Sequence, residues 1–135
     1  MPTIMADHDV EGHVHVLLRL LLSDEWHPLW TEMGYTVVSF ESLGLPTTTP
    51  DVELWQLCQA RQIVLITGNR NKDGPRSLEA TIQQFSVASS LPVLTIGEPK
   101  RILTSPEYAD RVVERLLEYL VDVENLRGTG RLYLP

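Results

Sequence analysis

Four aspartates stand where a mixed α/β chain brings distant loops together. Asp7 follows the apolar run Thr3-Ile4-Met5-Ala6, and Asp9 lies two residues beyond it. Asp51 follows Thr49-Pro50, and Asp73 closes a polar loop ahead of Gly74-Pro75. Carboxylates gathered at one edge repel one another unless a cation sits between them. Mg²⁺ accepts one or two carboxylates and keeps several waters. An ion held that way can position a water and stabilise an in-line phosphoryl displacement. Asp7, Asp51 and Asp73 are therefore candidate ligands and catalytic residues, with Asp9 or Glu53 as further carboxylates. Thr67, Asn69 and Asn71 carry hydrogen-bonding groups that could orient ligands or water, Asn69 being placed with the catalytic set. Arg70, Lys72 and Arg76 lie beside the acids and suit a phosphate backbone.

The elements that must position these groups are legible in the periodicity. Residues 3–6 form a short apolar strand. Val14, Leu17, Leu18 and Leu21 then recur at helical spacing. Ser23 followed by Asp24-Glu25 predicts the cap of a second helix running to Met33, with Gly34 as its stop. Residues 36–40 predict the second strand, and residues 41–49 a loop rich in Gly, Pro and Thr. Thr49-Pro50-Asp51 has the signature of a helix start, with a capping hydroxyl, proline at the first helical position and an acid at the dipole's positive end. That helix extends to about Ala60.

Strand three is residues 63–67, which runs into the polar loop. Ser77 opens a helix with Leu78, Ile82 and Phe85 inward, residues 92–97 form the fourth strand, and Ser105-Pro106-Glu107 opens the last helix. Its apolar face is Ala109, Val112, Val113, Leu116, Leu117 and Leu120. The tail, residues 126–135, ends in Leu132-Tyr133-Leu134 and is suited to an edge strand or to contact with a partner subunit of a homodimer. The alternation predicts an α/β fold of three layers, Rossmann-like, with a central parallel sheet of about four strands in the order 2-1-3-4 and helices on both faces. Sites in such sheets lie beyond the carboxyl ends of the strands where the winding reverses, here between strands one and three. Asp7, Asp51 and Thr67-Gly68-Asn69 converge there by topology.

The chain of 135 residues suits a single domain, 1–135, with no repeat or linker. Its net charge of −7 argues against a broad basic surface for duplex nucleic acid, though not against a local basic groove. No apolar run is long enough for a membrane span, no signal peptide is expected, and the location expected is the cytoplasm. The single cysteine, Cys58, reads as a small core residue. His13 and His15 are two apart, so on a helix they point about 200° apart and cannot share a zinc ion. His8 is placed to orient or shuttle protons at the site. Trp26, Trp30 and Trp55 read as core or interface anchors.

With these pieces in place, the chain resembles the PIN-like domain family, in particular the compact branch related to toxin-type PIN ribonucleases. The resemblance rests on an apolar strand ending in Asp7 and on a helix opening with Asp51 that carries Asp-x-Glu-Leu-x-x-x-Cys-x-x-Arg through Arg61. It rests also on a strand ending in Thr67-Gly68-Asn69 with Asp73 a few residues on. It spans residues 4–73, and the later elements are compatible with the same fold. What it implies is a Mg²⁺- or Mn²⁺-dependent endoribonuclease acting on RNA, with a toxin–antitoxin-like role and a protein partner of antitoxin type. Asp7 and Asp51 match the family's metal-binding acids, and Thr67 and Asn69 its motif after the strand. Asn69 and Asn71 stand where acids are the stronger hard-metal ligands. They support the alternative of a weak or degenerate enzyme, or a non-catalytic PIN-like binding module. Asp7-His8-Asp9 also resembles the Asp-x-Asp motif of haloacid-dehalogenase-type phosphatases. The chain has no late acidic pair after the fourth strand to complete that site.

Overall fold

The structure, a computed structural model, describes residues 2–69 and 77–135. Five strands, β1 (Thr3–Ala6), β2 (Thr36–Val38), β3 (Ile63–Thr67), β4 (Val93–Ile96) and β5 (Arg131–Leu134), build one sheet in the order β2-β1-β3-β4-β5. Every neighbouring pair is parallel. The expected order 2-1-3-4 holds, and the expected count of about four is corrected to five because the tail joins the sheet. Parallel addition requires the chain to return to the sheet's amino end before the strand begins. Helix α7 (Pro106–Val121) and a 3₁₀ turn at Val123–Leu126 make that return. Gly130, at φ 82°, then swings the chain into register with β4, Val93 opposite Arg131 and Ile96 opposite Leu134.

Alternate residues of the strands feed two apolar layers. Ile4, Val64, Ile66, Leu94, Ile96 and Leu134 meet α1 (Glu11–Leu21), α6 (Pro99–Thr104) and α7 through Val14, Leu17, Leu21, Ile102, Val112 and Leu116. On the other face Met5, Ile63 and Leu65 meet Phe40 of α3 (Phe40–Leu43) and Leu54 and Cys58 of α4 (Asp51–Ala60). Val93 meets Trp55 of α4 with Leu78 and Ile82 of α5 (Leu78–Phe85). All five residues of β3 are buried, as expected of a central strand covered on both sides. The six apolar positions predicted for α7 are all buried, and Tyr108 joins them. Cys58 is core, and burial foremost pushes its thiol up to about 12.

Local differences from expectation have identifiable causes. Helix α2 (His27–Met33) starts beyond Ser23, whose carbonyl accepts the Trp26 and His27 N–H groups of a preceding turn. Pro28 lacks an N–H and is accommodated in a first turn, so the helix begins around it. β2 stops at Val38 because Ser39 caps the short α3 through a reciprocal capping box with Ser42. Pro50 is the cap position of α4 and Asp51 its first residue, while the Thr49 hydroxyl donates to the Pro46 carbonyl at 2.6 Å. Phe85, expected inward, is 39 % exposed at the last residue of α5. α6 lies in a stretch where no helix was expected; it spans six residues, too few for a visible apolar period. Among the described residues no helix is long and apolar enough to cross a membrane.

Candidate functional site

At the carboxyl edge of the sheet a polar row replaces the apolar one. Asp7 continues β1 and donates its backbone N–H to the Ile66 carbonyl at 2.7 Å, which keeps it beside Thr67. Thr95 of β4 pairs with Thr67 in register. Asp7, Thr67 and Thr95 are all buried. They lie on the sheet face toward α4 and α5, since each is an even number of positions from Met5, Leu65 and Val93.

Hydrogen bonds join this row to α4. The Thr67 hydroxyl donates to Asp7 Oδ2 at 2.9 Å and accepts the Asn69 backbone N–H at 2.9 Å. The Asn69 side-chain Nδ2 donates to Asp51 Oδ2 at 3.1 Å. Asp7 Oδ1 accepts the His8 N–H at 2.7 Å, and this bond also starts the 3₁₀ turn His8–Val10. The Leu78 backbone N–H at the start of α5 also favours the charged form of Asp51. Asp7, Thr67, Asn69 and Asp51 thus form one continuous chain of contacts across segments distant in sequence.

Asp9 stands on the other side of β3. The Gly68 backbone N–H favours its charged form, and Oδ2 lies so close that a Cβ on residue 68 would meet it at 3.0 Å. The same Cβ would meet Val10 Cγ1 at 2.9 Å and Pro99 Cγ at 3.0 Å. Gly68 is therefore a close-approach glycine. Beyond Asp9 opens a cleft of about 490 Å³ lined by His13, Gly97, Pro99, Lys100 and Arg101.

The three acids share one electrostatic direction. Burial foremost raises the Asp7 carboxyl above the ordinary aspartate value; the Thr67 bond opposes the rise and the Asp9 charge adds to it. Asp9, an exposed residue whose carboxyl is partly desolvated, is raised likewise, against the Gly68 N–H and with the charge of Asp51. Asp51 is raised by burial and then by Asp7, against the Asn69 bond. Neighbouring carboxylates that raise one another take up a proton more readily than isolated aspartates do.

Comparison with known proteins adds no relative. No family model matches this chain. Neither a curated protein nor a solved structure gives a significant match either.

The expected residues divide into three groups. Asp7, Asp9, Asp51, Thr67 and Asn69 are brought together. Arg70, Asn71, Lys72, Asp73 and Arg76 lie outside the described residues. Glu53 is exposed on α4, away from the hydrogen-bonded chain. His8 turns its ring to Glu11, Nδ1 lying 2.7 Å from Oε1, with its edge to Phe40, and donates its backbone N–H to Asp7. Among the described residues no group of three or more His, Cys, Asp or Glu side chains stands close enough to hold a metal ion. Arg131 was missed by sequence reasoning. It opens β5 in the tail, and its guanidinium reaches the Asn69 carbonyl at 2.8 Å. A lone charge in the strand-like run Arg131-Leu132-Tyr133-Leu134 was the available signal.

Proposed function

We propose that the chain is a PIN-like, divalent-metal-dependent nuclease that hydrolyses phosphodiester bonds in RNA. The observation that supports this reading best is the hydrogen-bonded chain Asp7–Thr67–Asn69–Asp51, with both acids raised at the point where the sheet's winding reverses. Asp7 and Asp51 would hold Mg²⁺ or Mn²⁺; two carboxylates suffice for an ion that keeps its waters. When bound, the ion would activate a water and offset charge on the phosphoryl group. Thr67 holds Asp7 in one orientation by donating to Oδ2, and its oxygen is fixed in turn by the Asn69 N–H. The cleft beside Asp9, lined by Lys100 and Arg101 as well as by Glu98, would offer room for the strand that flanks the scissile bond.

A second reading has its own observation. The Asn69 amide occupies a lone pair of Asp51 with a neutral donor. An amide adds no charge to a metal site and satisfies Asp51 without a cation. This favours a non-catalytic PIN-like module whose carboxyl edge binds a partner.

Thermal unfolding with and without metal separates the two. Millimolar Mn²⁺ or Mg²⁺ should raise the Tm by several degrees if it binds the native state alone, about 2.7 kcal/mol at a hundredfold excess over Kd. Asp7→Asn should abolish the shift. No shift in the native sequence sinks the nuclease reading. A shift without Mn²⁺-dependent cleavage of single-stranded RNA leaves the binding module.

A further inference from the structure

Arg131 is 7 % exposed at its side chain although it begins an edge strand at the end of the chain. β5 is separated from β3 by β4, so the guanidinium crosses a whole strand to reach the loop after β3. Nη1 donates to Thr95 Oγ1 at 2.6 Å and to the Asn69 carbonyl at 2.8 Å. Nε lies 3.6 Å from Glu79 Oε2 on α5. Among the described residues the remaining Nη2 is buried with no hydrogen-bond partner, and Glu79 Oε2 accepts no hydrogen bond.

Such a group is a poor device for stability. A buried ion pair with unmet donors is commonly matched or bettered by apolar residues of similar volume. Its contacts suggest another use. The Asn69 carbonyl it grips belongs to the residue whose side chain donates to Asp51 and whose N–H donates to Thr67. Thr95, the other acceptor, is the neighbour of Thr67 across the sheet. Arg131 therefore holds the backbone of Asn69 against β4 while the Asn69 Nδ2 serves Asp51 and the Asn69 N–H serves Thr67.

We propose that Arg131 is a positioning residue of the carboxyl-edge site: it holds the Asn69 backbone just past β3 so that the Asn69 amide stays on Asp51, which makes β5 an integral part of the site. It touches no reacting atom. The inference rests on reading Asp51 and Asn69 as site residues, and does not require that they bind metal or cleave RNA.

Amide hydrogen exchange by NMR tests it on the full chain. Arg131→Met keeps the apolar stem and removes the donors. Protection of the Asn69 backbone N–H should fall by about tenfold or more, while Met5 and Leu65 in the sheet keep theirs. The Asn69 side-chain amide resonance should move toward its unfolded position. Arg131→Lys restores a charge and several donors, and should recover most of the protection. Unchanged Asn69 protection in the Met variant overturns the proposal, as does a loss in the Lys variant equal to that in Met. If Arg131→Met unfolds because Glu79 is left unpaired, Arg131→Met/Glu79→Gln carries the comparison. Unfolding of both would make Arg131 a residue of the fold and would also overturn the proposal. Failure of the nuclease reading appears separately, as the lack of a metal-induced Tm shift in the native sequence.

Discussion

Thr67 has the narrowest chemical requirement of the described site residues. Its hydroxyl gives its one proton to Asp7 and receives the Asn69 N–H, with no exposure to water. Valine has the same shape and can do neither. Thr67→Val should therefore destabilise the metal-free protein by about 1–3 kcal/mol, the range for stranding buried polar partners, one of them charged. Urea unfolding at neutral pH measures this, and an unchanged m-value would show that the denatured state is not the cause. A loss below about 0.5 kcal/mol would mean that Asp7 and Asn69 find other partners in solution. The residue scale also explains why the His8 ring makes no hydrogen bond to Asp7. Once its N–H starts the 3₁₀ turn on Asp7, its ring faces Glu11.

At the scale of elements, the site depends on how closely three of them approach one another. The 3₁₀ turn after β1, the end of β3 and the first turn of α6 meet at Gly68, where a methyl group would fall within 2.9–3.0 Å of Val10, Asp9 and Pro99. Two of those atoms belong to stiff groups, a branched valine and a proline ring. Gly68→Ala should cost roughly 1–3 kcal/mol by overpacking. It should also displace Asp9, seen as a chemical-shift change at the Asp9 amide that exceeds any change in β2. Stability equal to the parent in urea would show that α6 yields without cost. Helix α4 makes the complementary contribution: with Pro50 at its cap and Asp51 first, the acid is delivered at the helix start facing the end of β3.

On the scale of the whole molecule, a buried Asp7, a half-buried Asp51 and an exposed Asp9 sit close together in a chain of net charge −7. Asp7, Asp9 and Asp51 each hold a proton more tightly in the native state than in the unfolded chain, burial being the first cause. The stability such groups contribute is fully present below their unfolded pKa and is lost as pH rises through the raised native value. The metal-free protein should therefore lose stability as pH climbs from the ordinary aspartate range toward neutrality. Urea unfolding at a series of pH values checks the slope. Asp51→Asn should flatten it, and a slope of the opposite sign would mean that hydrogen bonds to the carboxylates outweigh their burial.

Local pattern alone determined the kind, order and face of most elements, because hydrophobic period and cap residues act within a few positions of one another. Ile63-Val64-Leu65-Ile66-Thr67 could only be a central strand, and Val112, Val113, Leu116 and Leu120 could only line one side of a helix. From that order, the handedness of parallel connections brought Asp7, Asp51 and Asn69 to one edge. Tertiary structure alone decided what those residues do to each other. The bond from Thr67 to Asp7 spans 60 positions and that from Arg131 to Asn69 spans 62. Neither leaves a periodic trace, since each depends on packing distances set by the sheet rather than on neighbours in the chain. For the same reason the tail could be read only as an edge strand or a subunit contact. Its parallel register with β4, which carries Arg131 to the site, exists once α7 has returned the chain to the sheet's amino end.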